Sequence, residues 1–277
     1  MSGTSVLDVP VIGAAILFDD FERLHNWILE SQRDIELHDF CYPPILDSDW
    51  RIITNRYKPL LDGYTGRLGI HGPFWGLDLA PVDPAIREVV KKRILQGLDI
   101  CEEIGATQMV LHSPYTIWDH NNLDNEHGGR EVKVRRFRQT LEAAVKRAEE
   151  AGVEIVLENV EDMDPALRVE LAAGFDSKAL KVSLDTGHAH FVHCTHGAPP
   201  VDYYVKAAGK ALAHVHLQDV DGYADRHWVP GLGTISWHAV FEAIHRLRIN
   251  PRMILELNNR QNIADGVKRL ADMGLGR

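Results

Sequence analysis

Six residues of ligand or acid–base type close six successive apolar runs of this sequence: His71, His112, Glu158, Asp185, His216 and Glu256. A buried apolar run has little use for an ionisable side chain, because burying one unpaired is costly. Carboxylates gathered in one place repel one another unless a cation sits among them. Mixed imidazole and carboxylate ligands suit Zn²⁺, Mn²⁺ or Fe²⁺. For any single residue a hydrogen-bonded polar rim explains the position equally well. Six such residues at equivalent positions favour a metal centre.

The elements that must position them follow from periodicity. Eight short apolar runs recur, at 9–17, 34–40, 66–74, 106–113, 153–160, 180–188, 212–220 and 252–259. Their length and β-branched content predict buried parallel strands. The spacers read as helices. Residues 84–105 set Ile86, Val89, Val90, Ile94, Leu98 and Ile100 in a stripe ending at Gly105, a C-cap, and 131–152 stops likewise at Gly152. A helix over 234–249 starts at Thr234 or Ser236, either of which suits an N-cap, and a last helix covers roughly 260–274. The alternation predicts a single (β/α)8 TIM barrel over 1–277, one domain, with a doubly wound open sheet as runner-up. In such a barrel the C-terminal strand ends converge on one rim, where active sites form. Two long connections, 113–130 and 189–201, are expected to close a pocket over it.

Further candidates lie beside these positions. His188 stands three residues after Asp185, and alone it reads as a loop histidine bonded to the backbone. Asp225 and His227 form an Asp-x-His pair before VPGLG, a tight turn leading into a helix. His214 shares the strand face of His216 and is a weak ligand candidate. Glu36 and His38 end the second strand, as substrate contacts or as a packed polar pair. His190, His193 and His196 carry no definite role.

Composition narrows the class. Hydrophobic residues at 45% and charged residues at 25% describe an ordinary globular chain, not a disordered or collagen-like one. Histidine is in excess, 15 of 277, which asks for a place to put it. The net charge of −10 argues weakly against a nucleic-acid partner, since a local basic face survives an acidic total. One basic run exists, Arg130, Lys133, Arg135, Arg136 and Arg138, and it reads as a solvated helix face. Cys41, Cys101 and Cys194 lack CxxC spacing, so a reducing cytoplasm is expected. No signal peptide is expected from MSGTSVLDVPVIG, and no run is long enough to span a membrane. No Walker-type phosphate loop occurs; backbone amides at the helix after Gly233 are the expected place for any phosphate.

The segments IHGPFWGLDLAP, MVLHSPY, VLENVED, SLDTGHAHF, HVHLQDVDGYADRHWVPGLGTISW and LELNN carry a resemblance. Together they resemble the xylose-isomerase-like barrel superfamily, which joins sugar and sugar-phosphate isomerases and epimerases to endonuclease IV. The resemblance runs from about His71 to Asn259 and is thinner before it. It implies four metal ligands, Glu158, Asp185, His216 and Glu256. For the nuclease branch it implies five more, His71, His112, His188, Asp225 and His227, and all five are present. HGPFWGLDLAPVDPAIRE, the Asp219–Gly222 segment and Trp237 look more like the isomerase/epimerase branch. Keto-sugar 3-epimerases of the superfamily carry a substrate-binding Arg where Trp228 stands here, with Arg226 nearby.

The expected activity is therefore a divalent-metal-dependent sugar or sugar-phosphate isomerase or epimerase. Glu158 and Glu256 would exchange the proton through an enediolate. His71, Trp75, His112, His188 and Arg226 would contact a small carbohydrate. Zinc or manganese is expected, as one ion and up to three, in a cytoplasmic protein; the sequence leaves the oligomeric state open, a homo-oligomer included, since such barrels often pair through exposed helices. The alternative is an endonuclease IV-like multi-zinc phosphodiesterase acting on abasic DNA. A non-catalytic sugar-binding barrel is the third reading, on the ground that fold does not fix function.

Overall fold

The structure, a computed structural model, describes residues 9–277; residues 1–8, which carry most of the leader reading, lie outside the described residues. The chain runs β1 Gly13–Ile16, α1 Phe18–Ser31, β2 Ile35–Leu37, α2 Pro43–Asp47, α3 Arg51–Leu60, β3 Leu68–His71, α4 Pro84–Ile104 and β4 Gln108–His112. It continues with α5 Ile117–Asn122, α6 Gly129–Ala151, β5 Glu154–Glu158, α7 Pro165–Ala173, β6 Leu180–Asp185, α8 Thr186–His196 and α9 Val201–Ala208. β7 Leu212–Leu217, α10 Trp237–Leu247, β8 Arg252–Leu255 and α11 Ile263–Asp272 complete it. The eight strands form a closed barrel in sequence order, every pair parallel. The (β/α)8 expectation holds, and the open-sheet alternative is excluded.

Register decides which polar side chains meet. His112 is paired with Glu158, so the ends of β4 and β5 are level. Asp185 is paired with His216. His216 is paired with Ile254, which sets Glu256 one side-chain layer above it. Glu36 is paired with Gly69, one layer below His71. All the strand ends therefore deliver their side chains to one mouth.

The helices behave as their caps direct. Asp83 accepts from the backbone N–H of Ala85 (2.7 Å) at the start of α4, Pro84 opens the helix, and Gly105 ends it with φ +76°. Gly152 ends α6 in the same way. In the predicted α4 stripe Val90, Ile94, Leu98 and Ile100 are buried, but Ile86 and Val89 are half exposed at 51% and 53%.

Two expectations change. The connection 189–201 is largely helix α8, which starts directly off β6 because the Asp185 carboxylate accepts from the backbone N–H of His188 (2.7 Å). Its histidine-rich sequence has too weak an apolar stripe to read as a helix. At α10 Ser236 holds the N-cap position without a side-chain capping bond. The buried Asp219 carboxylate anchors the turn that leads into the helix. It accepts from the backbone N–H groups of Val220 (3.0 Å), Gly231 (2.7 Å) and Ile235 (3.3 Å) and from Trp237 Nε1 (2.9 Å). The helix begins at Trp237, and of the backbone amides around Gly233, expected to suit a phosphate, those of Gly231 and Ile235 are already taken by a carboxylate of the chain. Gly233 is required there, since a Cβ would lie 2.2 Å from the Val220 carbonyl oxygen.

Asp219→Ala strips four donors of one acceptor in a buried setting, where each orphaned donor costs about 1–3 kcal/mol. The expected loss is at least about 3 kcal/mol by the same rule, read from the urea midpoint of the variant against wild type. A loss below about 1 kcal/mol, the low end for a single orphaned donor, would show that the 219–237 segment holds itself together by other means.

Candidate functional site

One ligand atom from each of Glu158, Asp185, His216 and Glu256 lies within 4.8 Å of the others. The four come from β5, β6, β7 and the residue after β8. His216 Nδ1 sits between the two glutamates, 3.2 Å from Glu158 Oε1 and 3.4 Å from Glu256 Oε2. Each of the four also has a buried side-chain atom without a hydrogen-bond partner: Glu158 Oε2, Asp185 Oδ2, His216 Nδ1 and Glu256 Oε2. Buried polar atoms are nearly always paired. Four such orphans, on imidazole and carboxylate groups whose ligand atoms gather within 4.8 Å, fit a divalent cation of the zinc or manganese type.

Two satellite groups flank this set. His71, His112 and Glu158 bring ligand atoms within 4.8 Å of one another, and so do His188, Asp225 and His227. His71 Nε2 and His112 Nε2 lie 3.5 and 3.7 Å from Glu158 Oε2. His188 Nε2 lies 3.4 Å from Asp225 Oδ2, and His227 Nε2 lies 3.1 Å from Asp225 Oδ1. All nine candidate ligands are therefore gathered at one mouth. His188 satisfies both of its readings. It joins the cluster and also holds the Asn159 carbonyl oxygen through Nδ1 (3.0 Å).

Charge balance is the governing feature. Burial alone pushes the Glu158 carboxyl up, but His216, His188 and His71 together hold it well below the usual carboxylate range. Burial pushes Glu256 up too, and His216, His227 and His38 bring it down to about 2. Asp185, with weaker compensation from His188, is pushed up to about 6 by burial. On the other side, burial depresses the imidazoles, yet the carboxylates hold His216 and His188 well above their usual value and His227 up to about 9. At His112 burial, with the nearby His71 and His188, outweighs Glu158 and Glu256 and takes it down to about 3.

Residues outside the predicted set position the ligands. Asn159 forms a reciprocal pair with Asp185, its amide donating to the Asp185 carbonyl oxygen and its oxygen accepting the Asp185 N–H, both at 2.9 Å. Gln218, fully buried, donates to Asp185 Oδ1 (3.1 Å) and Asp225 Oδ1 (2.9 Å) and accepts from the His227 N–H (3.0 Å). His227 is thereby held at φ +49°, a conformation a non-glycine residue adopts at a cost. Gly187 makes room for the Gln218 amide, where a Cβ would approach to 2.2 Å. The only signal for Asn159 and Gln218 in the sequence was their place just beyond a strand end.

The predicted substrate contacts divide. Phe74 stacks on His112 at 4.3 Å between ring centroids, and Trp75 beside it is exposed at the mouth, facing Tyr42. A cavity of about 520 Å³ opens next to His112, lined among others by Leu77, Ser113, Tyr115, Asp119 and Lys133. The 113–130 segment borders it as expected; the 189–201 segment does not. Arg226 is turned away from the cluster and pairs with Asp221 (2.9 Å). The basic run is largely spent within the chain: Arg130 pairs with Asp124, Lys133 with Asp119, and Arg138 donates to the Gly174 carbonyl.

The raised His227 value carries a sign. A group held above its unfolded pKa of about 6.5 contributes stability that is complete below that pH and fades as pH rises toward 9. Metal-free protein should therefore lose on the order of 3 kcal/mol between pH 6.5 and 9 from this group. Zinc-loaded protein should lose less, because an ion replaces the proton as counter-charge. Urea midpoints of chelated and loaded protein across that range test this; parallel curves would sink it.

Comparison with known proteins places the chain. The model of the family described as xylose isomerase-like TIM barrel matches residues 33–273. An uncharacterized protein of Methanocaldococcus jannaschii, MJ1311, is 28% identical over 222 residues, 76% of this chain and 69% of that protein. The D-psicose 3-epimerase of Ruminiclostridium cellulolyticum is 27% identical over 203 residues, 70% of this chain and 64% of the epimerase. Among solved structures, the TTHB071 protein of Thermus thermophilus, soaked with ZnCl2, is 25% identical with a TM-score of 0.69, covering 96% of this chain and 99% of that one. No helix among the described residues is long and apolar enough to cross a membrane. The closed barrel, the mouth built from its strand ends and the match over residues 33–273 together mean that the chain belongs to the xylose isomerase-like TIM-barrel family.

Proposed function

We propose that the protein is a divalent-metal-dependent isomerase or epimerase of a small sugar or sugar phosphate. The observation that carries this is the gathering of one ligand atom from each of Glu158, Asp185, His216 and Glu256 within 4.8 Å of the others at the barrel mouth, each residue also holding an unpartnered buried atom. The likeness to a D-psicose 3-epimerase supports the substrate class. Bound by these four residues, a zinc or manganese ion would polarise a substrate carbonyl and acidify the neighbouring C–H.

The remaining chemistry belongs to side chains. Asp185 and His216 hold the ion, with Glu158 and Glu256 on either side of His216 Nδ1. One glutamate takes the proton from the carbon beside the carbonyl, and the other returns one, so that the substrate passes through an enediolate. Their environments differ, as that division of labour requires: the Glu158 side chain is 1% exposed and that of Glu256 14%. Glu256 is the one able to trade its proton with water. His112, kept neutral by burial, offers an uncharged imidazole to a sugar hydroxyl. His71, His188 and Trp75 border the same space, and Arg226 reaches it only by leaving Asp221. The adjoining cavity of about 520 Å³ has the size of a small-molecule site.

Glu158→Gln and Glu256→Gln should each reduce exchange of solvent deuterium into substrate by about 10²-fold or more. Exchange that survives in both variants ends the two-glutamate mechanism.

One observation favours a second reading, the two satellite groups that would extend the centre to three ions. That arrangement suits a zinc phosphodiesterase acting on abasic DNA. Against it, three of the five residues of the basic run, Arg130, Lys133 and Arg138, are paired within the chain. Elemental analysis separates the two. One ion per chain removes the nuclease reading. About three ions, together with nicking of an abasic duplex at low salt, would replace the isomerase reading with it.

A further inference from the structure

Glu36 is a buried carboxylate outside the ligand set, 2% exposed and one layer below the mouth. Its Oε1 lies 2.8 Å from His38 Nε2 and 2.9 Å from His216 Nε2. Its Oε2 lies 2.9 Å from His214 Nε2, though off the direction of a good hydrogen bond, and His214 Nδ1 is bonded to Ser183 Oγ at 2.7 Å. We propose that Glu36 is a positioning residue that holds His216 through its Nε2–H, so that Nδ1 is the nitrogen left facing Glu158, Asp185 and Glu256 and the one that would bind an ion there.

The inference rests on reading those four residues as an ion site. Its own support is geometric. A carboxylate oxygen accepts and does not donate, so each imidazole nitrogen bonded to Oε1 supplies the hydrogen. A neutral imidazole protonated on Nε2 keeps its lone pair on Nδ1. In His216 that nitrogen is the buried atom left without a hydrogen-bond partner. The ring has no freedom to exchange the two nitrogens. It is fully buried, with the ring of His214 at 4.5 Å and that of His71 stacked at 5.9 Å. Glu36 has a second arm in His38, whose Nε2 also lies 3.8 Å from Glu256 Oε1. One carboxylate thus orients a proposed ion ligand directly and a neighbour of the second glutamate through His38. Carboxylates placed behind ligating histidines in this way commonly raise metal affinity about 10–100-fold. A Glu36 that merely packed as a buried polar partner would leave affinity unchanged.

The test is zinc affinity, measured by calorimetry against a competing chelator for wild type and Glu36→Gln. The amide keeps the size and an oxygen that can accept from the rings, but it removes the negative charge behind His216 and the second acceptor oxygen. The expected result is a loss of about 10–100-fold in affinity with unchanged stoichiometry. A folded variant that binds zinc within about twofold of wild type, well short of that range, overturns the inference. If the variant does not fold, the wild-type protein decides. ¹⁵N-histidine NMR of the zinc-loaded form should report His216 with zinc on Nδ1 and hydrogen on Nε2. Metal on Nε2, or hydrogen on Nδ1, overturns it. A wild-type protein that binds no zinc in the same calorimetry overturns the ion-site reading, and the inference with it.

Discussion

Everything at the mouth of this barrel depends on placing four carboxylates, Glu36, Glu158, Asp185 and Glu256, where water hardly reaches. Uncompensated, such groups take up protons or push the strands apart. The chain compensates them with imidazoles, which is the use it makes of its histidine excess. His216 alone lies within 3.4 Å of three of these carboxylates. The same rings that neutralise carboxylates when protonated become ligands or donors when a cation takes over that role. The centre is therefore held by charge matching more than by apolar packing, and an ion bound there would compete with protons.

The barrel supplies the convergence, but the loops supply the aim. Register makes Asp185 level with His216 and His112 level with Glu158. It leaves the position of Asp225 and His227 open, because they lie beyond any strand. Two buried polar residues close that gap. Asp219 gathers the turn that follows His227 and the start of α10, and Gln218 ties Asp225, His227 and Asp185 to one amide. The strained backbone at His227 is the local cost of aiming its ring inward.

Much of this was legible in the sequence, for a physical reason. Ionisable residues at the ends of apolar runs are rare unless they have partners, so His71, His112, Glu158, Asp185, His216 and Glu256 stood out without any structure. The barrel followed from eight strand–helix repeats, and Gly105 and Gly152 marked their helix ends correctly. What failed to show were features set by distant partners. Helix α8 lacks a strong stripe and is started by the Asp185 side chain. Asn159 and Gln218 look like ordinary loop amides until their partners across the mouth are known. Glu36 and His38 could not be told apart from a packed polar pair, because their meaning lies in His216, 180 residues from Glu36 along the chain. Ile86 and Val89 belong to the apolar pattern of α4 yet sit on its open face.

The nine candidate ligands are not equivalent, and the difference bears on how many ions the centre suits. In the satellite groups several atoms already have partners in the chain. His71 Nδ1 faces the Gly72 carbonyl oxygen (3.0 Å), His188 Nδ1 that of Asn159 (3.0 Å), and His227 Nε2 the Asp225 carboxylate (3.2 Å). His112, at 25% side-chain exposure, has access to solvent. The four core residues alone among the nine leave buried atoms unpaired. Unpaired buried groups gain most from a cation, since they have no hydrogen bond to give up. For His71 and His188 the bonded nitrogen is Nδ1, which leaves Nε2 of each ring toward Glu158 and Asp225, so further ions would not have to break those bonds. What sets the core apart is its unpaired buried atoms, which would make Glu158, Asp185, His216 and Glu256 the first place for an ion.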